Sequence, residues 1–321
     1  MRKLPLLFAV LGTSALVLSG CSGATPVPFG AGCESLAVTN PDVTELITVE
    51  GEPGTAPDVT MYSPLFTAET AHSVVTPGTG RVLDDANQLT QLDMALYSGS
   101  SGERLVTTAF GDENAAEPIA LSTWGQTFQG LEKGLMCATE GSRVIVAMAS
   151  DDIAFGQGMA GLGIAPGETV VAVVDVRTVM RSKADGKDQL VTGHGLPSVV
   201  RAEDGQPGVT LPCGEPAADL VVETLKRGDG DVVQTGDTVF VQYTGLTWNE
   251  KEVFDSSWGG PARAMSLDGI IPGFAQALEG QTVGSQVLAV IPPELGYGDQ
   301  ASGKIPAGAT LVFVVDILGI G

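Results

Sequence analysis

The strongest constraint on the fold of this 321-residue chain is an internal repeat. The string P-D-V-T-M at 57–61 returns as P-G-V-T-L at 207–211, an offset of 150 residues. Near the other end, V-V-D-V at 173–176 returns as V-V-D-I at 314–317, an offset of 141 residues. The offset falls steadily between these ends, as small insertions and deletions within a duplicated domain would produce.

The repeat predicts two copies of one domain, over residues 41–181 and 197–321. The polar, glycine-bearing stretch 182–196 between them has the composition of a linker. In this alignment Tyr97 is matched with Tyr243 at an offset of 146 residues.

Each copy has the sequence pattern of short strands with one brief helix. The helix is expected near 273–278, where G-F-A-Q-A-L spaces apolar side chains at helical intervals. β-Branched, partly alternating stretches in the second copy predict strands, namely 220–225, 237–242, 283–291 and 310–318. We therefore expect an α+β fold in which an antiparallel sheet packs on one short helix.

Charge and histidine content exclude several function classes. The chain has 16 Lys and Arg against 38 Asp and Glu, a formal net charge of −22. Nucleic-acid binding requires a basic surface, so we expect no nucleic-acid partner. The only histidines, His72 and His194, lie far apart and have no ligand-like spacing, so no metal site and no histidine-based catalytic triad are expected.

The N-terminus is typical of an export signal. Residues 1–20 carry Arg2 and Lys3 before an apolar stretch too short to span a bilayer comfortably. The following L-S-G-C resembles the lipobox of bacterial lipoproteins, which implies lipidation at Cys21. The lipid alone would then anchor the protein to the outer face of the cell membrane, and residues 21–40 would form a flexible tether. An ordinary cleaved signal is the alternative.

Three cysteines remain if Cys21 carries lipid: Cys33, Cys137 and Cys213. An exported chain can form disulfides, but three thiols allow at most one internal bridge. Cys33–Cys137 is one candidate, and three unpaired thiols are the alternative.

Six strings follow one another across about 100 residues of the second copy: V-Q-Y-T-G (241–245), F-D-S-S (254–257), I-I-P-G-F (270–274), G-Y-G (296–298), K-I-P-A-G-A-T-L-V-F (304–313) and V-D-I-L (315–318). In this order and spacing, the second copy resembles the FKBP-type peptidyl-prolyl cis-trans isomerases. The resemblance implies two tandem FKBP-like domains and isomerase activity on X-Pro bonds of exported polypeptides, with no cofactor or metal.

By the same resemblance, the catalytic residues would be Tyr243, Asp255 and Tyr297, with the Ile271 backbone N–H as a further donor. Ala262 stands where the family often has a second wall aromatic. Tacrolimus-type macrolides are implied as ligands of the pocket. The substrate-binding side chains would be Phe254, Ile270, Ile271, Phe274, Ile305 and Phe313. Taken singly, each of these apolar residues is equally compatible with a place in the core.

The first copy lacks the pocket residues. Leu105-Val106-Thr107-Thr108 stands in place of F-D-S-S, Leu131 replaces the floor aromatic, and Ala172 stands where Phe313 is expected. We therefore expect a degenerate domain with little or no isomerase activity, serving as a spacer, a chaperone surface or a docking module. A non-catalytic, client-binding lipoprotein on the same frame is the alternative function for the whole chain.

Overall fold

The computed structural model describes residue 33 and residues 35–112 and 117–321. The predicted signal peptide and the lipidation site Cys21 lie outside these residues. Within the described part, no helix is both long and apolar enough to cross a membrane.

Residues 35–180, here called the first unit, are built on an antiparallel six-stranded sheet. Its elements in chain order are α1 (Pro41–Thr44), β1 (Ile47–Glu50), β2 (Asp58–Met61), β3 (Ala71–Thr76), β4 (Leu89–Ser98), β5 (Arg104–Thr107), β6 (Ile119–Ala120), α2 (Leu121–Gly125), α3 (Gln129–Leu135), β7 (Arg143–Met148) and β8 (Val170–Val179). The sheet order is β3-β7-β8-β4-β5, with β6 beside β4, and β1 and β2 form a separate hairpin.

Residues 187–321, the second unit, repeat this arrangement on a seven-stranded sheet. Its elements are β9 (Lys187–Asp188), β10 (Ser198–Arg201), β11 (Pro207–Thr210), β12 (Val221–Arg227), β13 (Thr238–Thr247), β14 (Val253–Ser256), β15 (Arg263–Ser266), α4 (Pro272–Leu278), β16 (Gln286–Ile291) and β17 (Leu311–Ile320). The order is β14-β13-β17-β16-β12-β9, with β15 beside β13, and β10 and β11 form the hairpin.

Both faces of each sheet are covered. In the second unit α4 packs Phe274 and Leu278 onto one face, where they meet Val241, Val287 and Val315. The β10–β11 hairpin covers the opposite face, with side chains on strands β12, β16 and β17 beneath it. The strings at 57–61 and 207–211, which opened the repeat, are therefore the second strands of two equivalent hairpins.

The number of helices differs from the expectation of one per domain. The second unit carries the single α-helix α4, whereas the first carries α1, α2 and α3. The additional α2 follows β6, where Leu121 and Trp124 at i, i+3 spacing pack into the core. At the corresponding place the second unit has only a short turn at 267–269.

Strand register corrects one part of the repeat alignment. Asp175 lies opposite Asp93 in the first sheet, and the matching Asp316 lies opposite Gln242 in the second. The true offset between β4 and β13 is therefore 149 residues, and Met94, not Tyr97, occupies the place of Tyr243. A three-residue shift moves a side chain to the other face of a strand, and Tyr97 accordingly lies under the β1–β2 hairpin.

In the first unit, a buried ion pair joins the sheet to the hairpin. Arg143 donates from Nε to Asp175 Oδ1 at 2.6 Å, and both side chains are almost fully buried. The same guanidinium donates to the carbonyls of Gly51 and Thr55 at 2.7 and 2.6 Å. The Gly54 N–H donates to the other carboxylate oxygen of Asp175 at 2.7 Å.

The second unit holds the equivalent carboxylate, Asp316, without a paired cation. Gln286 replaces the arginine and donates to Asp316 Oδ1 at 2.7 Å, and the Ala184 N–H donates to Oδ2 at 2.7 Å. Arg201 reaches in from the hairpin but donates to Gln286 Oε1 instead, at 2.6 Å. Burial raises the pKa of Asp316 to about 6, which these hydrogen bonds only partly offset.

The segment predicted as a linker packs against the second unit. Ala184 is buried on Asp316, and β9 continues the second sheet by pairing with β12. Asp185 accepts from Arg181 at 2.6 Å and from Arg81 of the first unit at 3.2 Å. This stretch therefore belongs to the folded structure instead of forming a free spacer.

The two units also share a small apolar interface. Phe240 of the second unit is buried together with two side chains of the first unit. The residues in this cluster are Leu89, Ala120, Met180, Phe240 and Ala262.

Asp316→Asn is expected to flatten the pH dependence of stability. Burial raises the folded pKa from 3.8 to about 6, so the contribution of this group is present below about pH 4 and lost as pH rises through 6. Between about pH 4 and pH 7.5, the wild-type free energy of unfolding should fall by about 2–3 kcal/mol more than that of the variant. Urea unfolding at a series of pH values measures this. Parallel profiles would contradict it, and Glu250→Gln, at an exposed turn, is the control.

Candidate functional site

A cavity of about 510 Å³ opens on the α4 side of the second sheet. Strands β13, β14, β15 and β17, helix α4 and the loop after β16 all contribute to it. Its lining residues are Tyr243, Phe254, Asp255, Met265, Gly269, Ile270, Ile271, Pro272, Phe274, Tyr297 and Phe313.

Four aromatic rings form the apolar floor and wall of this cavity. Phe313 contacts Phe274 with centroids 4.9 Å apart and Phe254 with centroids 5.5 Å apart, both in edge-to-face geometry. Tyr243 completes the group at 6.3 Å from Phe274 and 6.2 Å from Phe313. Edge-to-face contacts of this kind add to the stabilisation from burial and fix the ring positions.

Gly245 makes room for two of these rings. It lies opposite Phe313 across the β13–β17 pair. A Cβ at this position would lie 2.6 Å from Phe254 Cζ and 2.7 Å from Phe313 Cε1, closer than nonbonded atoms approach. The glycine of the V-Q-Y-T-G string is therefore required by the close approach of aromatic side chains.

Polar groups are few and lie at the edge of the cavity. The Tyr243 hydroxyl donates a short hydrogen bond to Asp255 Oδ2. Burial, followed by this bond and the carboxylate charge, raises the pKa of Tyr243 well above its usual range, so the phenol stays protonated. Asp255 Oδ1 accepts from the Ser256 N–H at 2.9 Å, which fixes the carboxylate in the site.

Two further donors face the open side. Tyr297 is 40% exposed, after the turn at 293–295. The Ile271 N–H lies at the start of α4, before Pro272, and makes no hydrogen bond within the described part of the chain. Both groups are free to donate to a molecule that enters the cavity.

The structure brings together all but one of the residues predicted for the pocket. Ile305 is the exception, because it is buried in the adjacent core and does not line the cavity. Ala262, expected in the wall, instead packs toward the first unit. Sequence reasoning missed Met265, which lines the cavity in its place. The alternation of side chains along β15 was the sequence signal that could have placed Met265 on the cavity side.

The first unit fills the equivalent space with core side chains. Leu96 takes the place of Gly245 and lies opposite Ala172, which takes the place of Phe313. Large and small side chains are thus exchanged across one strand pair. Leu96, Ala172 and Leu131 are buried in one cluster with Phe128, which stands at the place of Ile271. Val106 replaces Asp255, and Phe155, at the place of Tyr297, is 74% exposed.

Comparison with known proteins gives a family match within the second unit. The family model described as FKBP-type peptidyl-prolyl cis-trans isomerase matches residues 230–318, within the second unit. An FK506-binding protein of Streptomyces anulatus is 40% identical over 120 residues, which cover 36% of this chain and 97% of that protein. This chain belongs to the FKBP family of peptidyl-prolyl cis-trans isomerases.

Other FKBP-family isomerases match a similar length of chain. FkpA of Escherichia coli is 38% identical over 101 residues, covering 32% of this chain and 37% of that protein. The crystal structure of FkpA aligns with 40% of this chain and 52% of that chain, at 32% identity and a TM-score of 0.31.

Replacing the Gly245–Phe313 side-chain pair by the pair found in the first unit should close the pocket while preserving the fold. Gly245→Leu with Phe313→Ala reproduces the Leu96–Ala172 pair of the first unit and roughly conserves volume across the pair. The Phe254 ring, whose Cζ lies 2.6 Å from the position of the new Cβ, must move aside, so the cost in stability should be about 1–3 kcal/mol. We expect at least a tenfold loss of kcat/KM on an X-Pro peptide, because the leucine occupies the space of Phe313. Isomerisation kinetics and thermal unfolding test this.

Gly161→Ala is the matched control, because a Cβ there meets nothing within 4 Å and the residue lies in the first unit. A folded double variant with full activity would show that the aromatic floor is not needed.

Proposed function

We propose that the second unit catalyses rotation about X-Pro bonds by stabilising the twisted amide in its aromatic cavity. The planar amide has a barrier of about 18–20 kcal/mol, and at the top of the barrier its resonance and part of its charge separation are lost. A dry aromatic pocket therefore favours the twisted form over the planar one. A ten-thousandfold acceleration needs only about 5.5 kcal/mol of this preference.

The observation that carries the proposal is the cavity of four edge-to-face rings with polar groups only at its edge. A proline ring fits such an apolar floor, formed by Phe274 and Phe313. The Ile271 N–H and the Tyr297 hydroxyl would then donate to substrate carbonyl oxygens and orient the chain. Asp255, held by Tyr243, would face the carbonyl of the rotating bond. Rotation breaks no covalent bond, so the proposed mechanism uses no cofactor.

We also propose that the enzyme acts on exported polypeptides from the outer face of the cell membrane, anchored through lipid on Cys21. The basic N-terminus and the L-S-G-C string support this. A second support is the disulfide between Cys33 and Cys137, because such bonds persist in oxidising compartments. X-Pro isomerisation limits the folding of exported chains as it does elsewhere.

In this proposal the first unit is non-catalytic. The first unit has Leu96 and Ala172 where the second has the glycine–phenylalanine pair. This difference supports the assignment, because the leucine fills the space that a proline ring would need. The exposed Phe155 favours the alternative role of client binding for this unit, because an exposed aromatic can contact unfolded chains.

Matched variants in the full chain test which unit catalyses. Tyr297→Leu should lower kcat/KM by about tenfold or more, because it removes one of two free donors at the rim. Phe155→Leu, at the equivalent position of the first unit, should leave kcat/KM unchanged. Isomerisation of a proline tetrapeptide, with and without tacrolimus, measures both. Equal losses from the two substitutions would overturn the assignment.

Asp255→Leu, compared with Val106→Leu in the first unit, distinguishes the client-binding alternative from catalysis. If refolding of a proline-limited protein slows in step with the loss of peptide isomerisation, catalysis carries the function. If refolding is unaffected while isomerisation falls, binding carries it.

A further inference from the structure

Strand β15 places one cation on the same face as the catalytic cavity. Met265 pairs with Val239 and Arg263 pairs with Val241, both on the buried α4 side of β13. Met265 lines the cavity. Because side chains alternate along a strand, Arg263 lies on the cavity side with Met265, while Ala264 lies opposite.

A contact on the other face supports this orientation. Ala262 packs with Phe240 toward the first unit, on the face away from the cavity. Arg263, one residue later, therefore lies toward the cavity. Its cross-strand partner Val241 is two residues from Tyr243, so Arg263 is a diagonal neighbour of the tyrosine, within about 7–8 Å between backbones.

The Arg263 guanidinium is exposed and unpaired. Within the described residues it has no carboxylate within 4.0 Å and no hydrogen bond. The chain has more than twice as many acidic as basic side chains, so a free cation beside the pocket is a departure from the general surface. Burial is the largest influence on the Tyr243 pKa and raises it, and the Arg263 charge acts in the opposite direction.

The acidic group at the edge of the cavity makes no ion pair with Arg263. Asp255 is held by the Tyr243 hydroxyl and by the Ser256 N–H. Without a cation nearby, this carboxylate would repel an acidic substrate. Arg263 offsets that repulsion, and its guanidinium, which is exposed and has no ion-pair partner in the described part of the chain, is open to an acidic side chain of an incoming polypeptide.

We propose that Arg263 is a specificity-determining residue that favours polypeptides with an acidic side chain next to the isomerising proline. The inference rests on the proposed isomerase function. An exposed ion pair has a small energy, so the preference should be about two- to fivefold in kcat/KM for Glu-Pro over Lys-Pro. Because the Debye length is about 3 Å at 1 M salt, high salt should remove most of the preference.

The test compares full-length protein on tetrapeptides with Glu, Gln or Lys before proline. Wild type should favour Glu over Lys, Arg263→Gln should abolish the difference, Arg263→Glu should reverse it, and Arg263→Lys should retain it. Arg227→Gln, an exposed arginine on β12, is the control and should keep the wild-type ratio. A merely structural role for Arg263 would lower all three rates together without changing their ratio.

The outcomes separate the two proposals. Turnover of all three peptides at equal rates by wild type, or an unchanged Glu-to-Lys ratio in Arg263→Glu, would overturn the role of Arg263 alone. No turnover of any peptide by the folded wild-type chain would overturn the isomerase function itself.

Discussion

The aromatic cavity of the second unit depends on one cross-strand pair, Gly245 opposite Phe313. The missing side chain at Gly245 lets the Phe313 ring lie flat enough to meet Phe254 and Phe274 edge to face. Interiors are close-packed, so volume removed on one strand must be supplied on its neighbour. In the first unit the large residue, Leu96, and the small residue, Ala172, stand on the opposite strands of the pair. The space equivalent to the cavity is therefore filled.

The two units share a fold but give the equivalent buried carboxylate different partners. Asp175 is paired with Arg143, whereas Asp316 accepts hydrogen bonds from an amide and a backbone N–H. In each case the carboxylate joins the helix-packed sheet to a segment on its other face. Burying a charge without a counter-ion is costly, and this cost explains the raised pKa of Asp316. Each carboxylate also accepts from a backbone N–H, that of Gly54 in the first unit and that of buried Ala184 in the second, and a backbone donor buried without a partner is costly.

Sequence predicted the sheet and most of the pocket because both are encoded in local strings. V-Q-Y-T-G and F-D-S-S carry side chains that face the cavity wherever their strands are paired. The Tyr97 match was wrong because two Tyr-x-Gly strings align by letter, whereas strand pairing follows register, which the sequence does not display. Ala262 was misplaced for a related reason. Its place was taken from the family resemblance, whereas the face that a residue at β15 occupies is decided by the pairing of that strand with β13.

The side chains that line the pocket differ from those that form the contact between the two units. Gln242 donates to the Gly260 carbonyl at 2.8 Å and accepts from the Ser257 hydroxyl, so it holds the loop after Asp255 from behind. The first unit packs on the end of that loop through Ala262. Leu96 and Ala172 lie in a separate cluster. The side chains that fill the first unit's core are therefore distinct from those that contact the second unit.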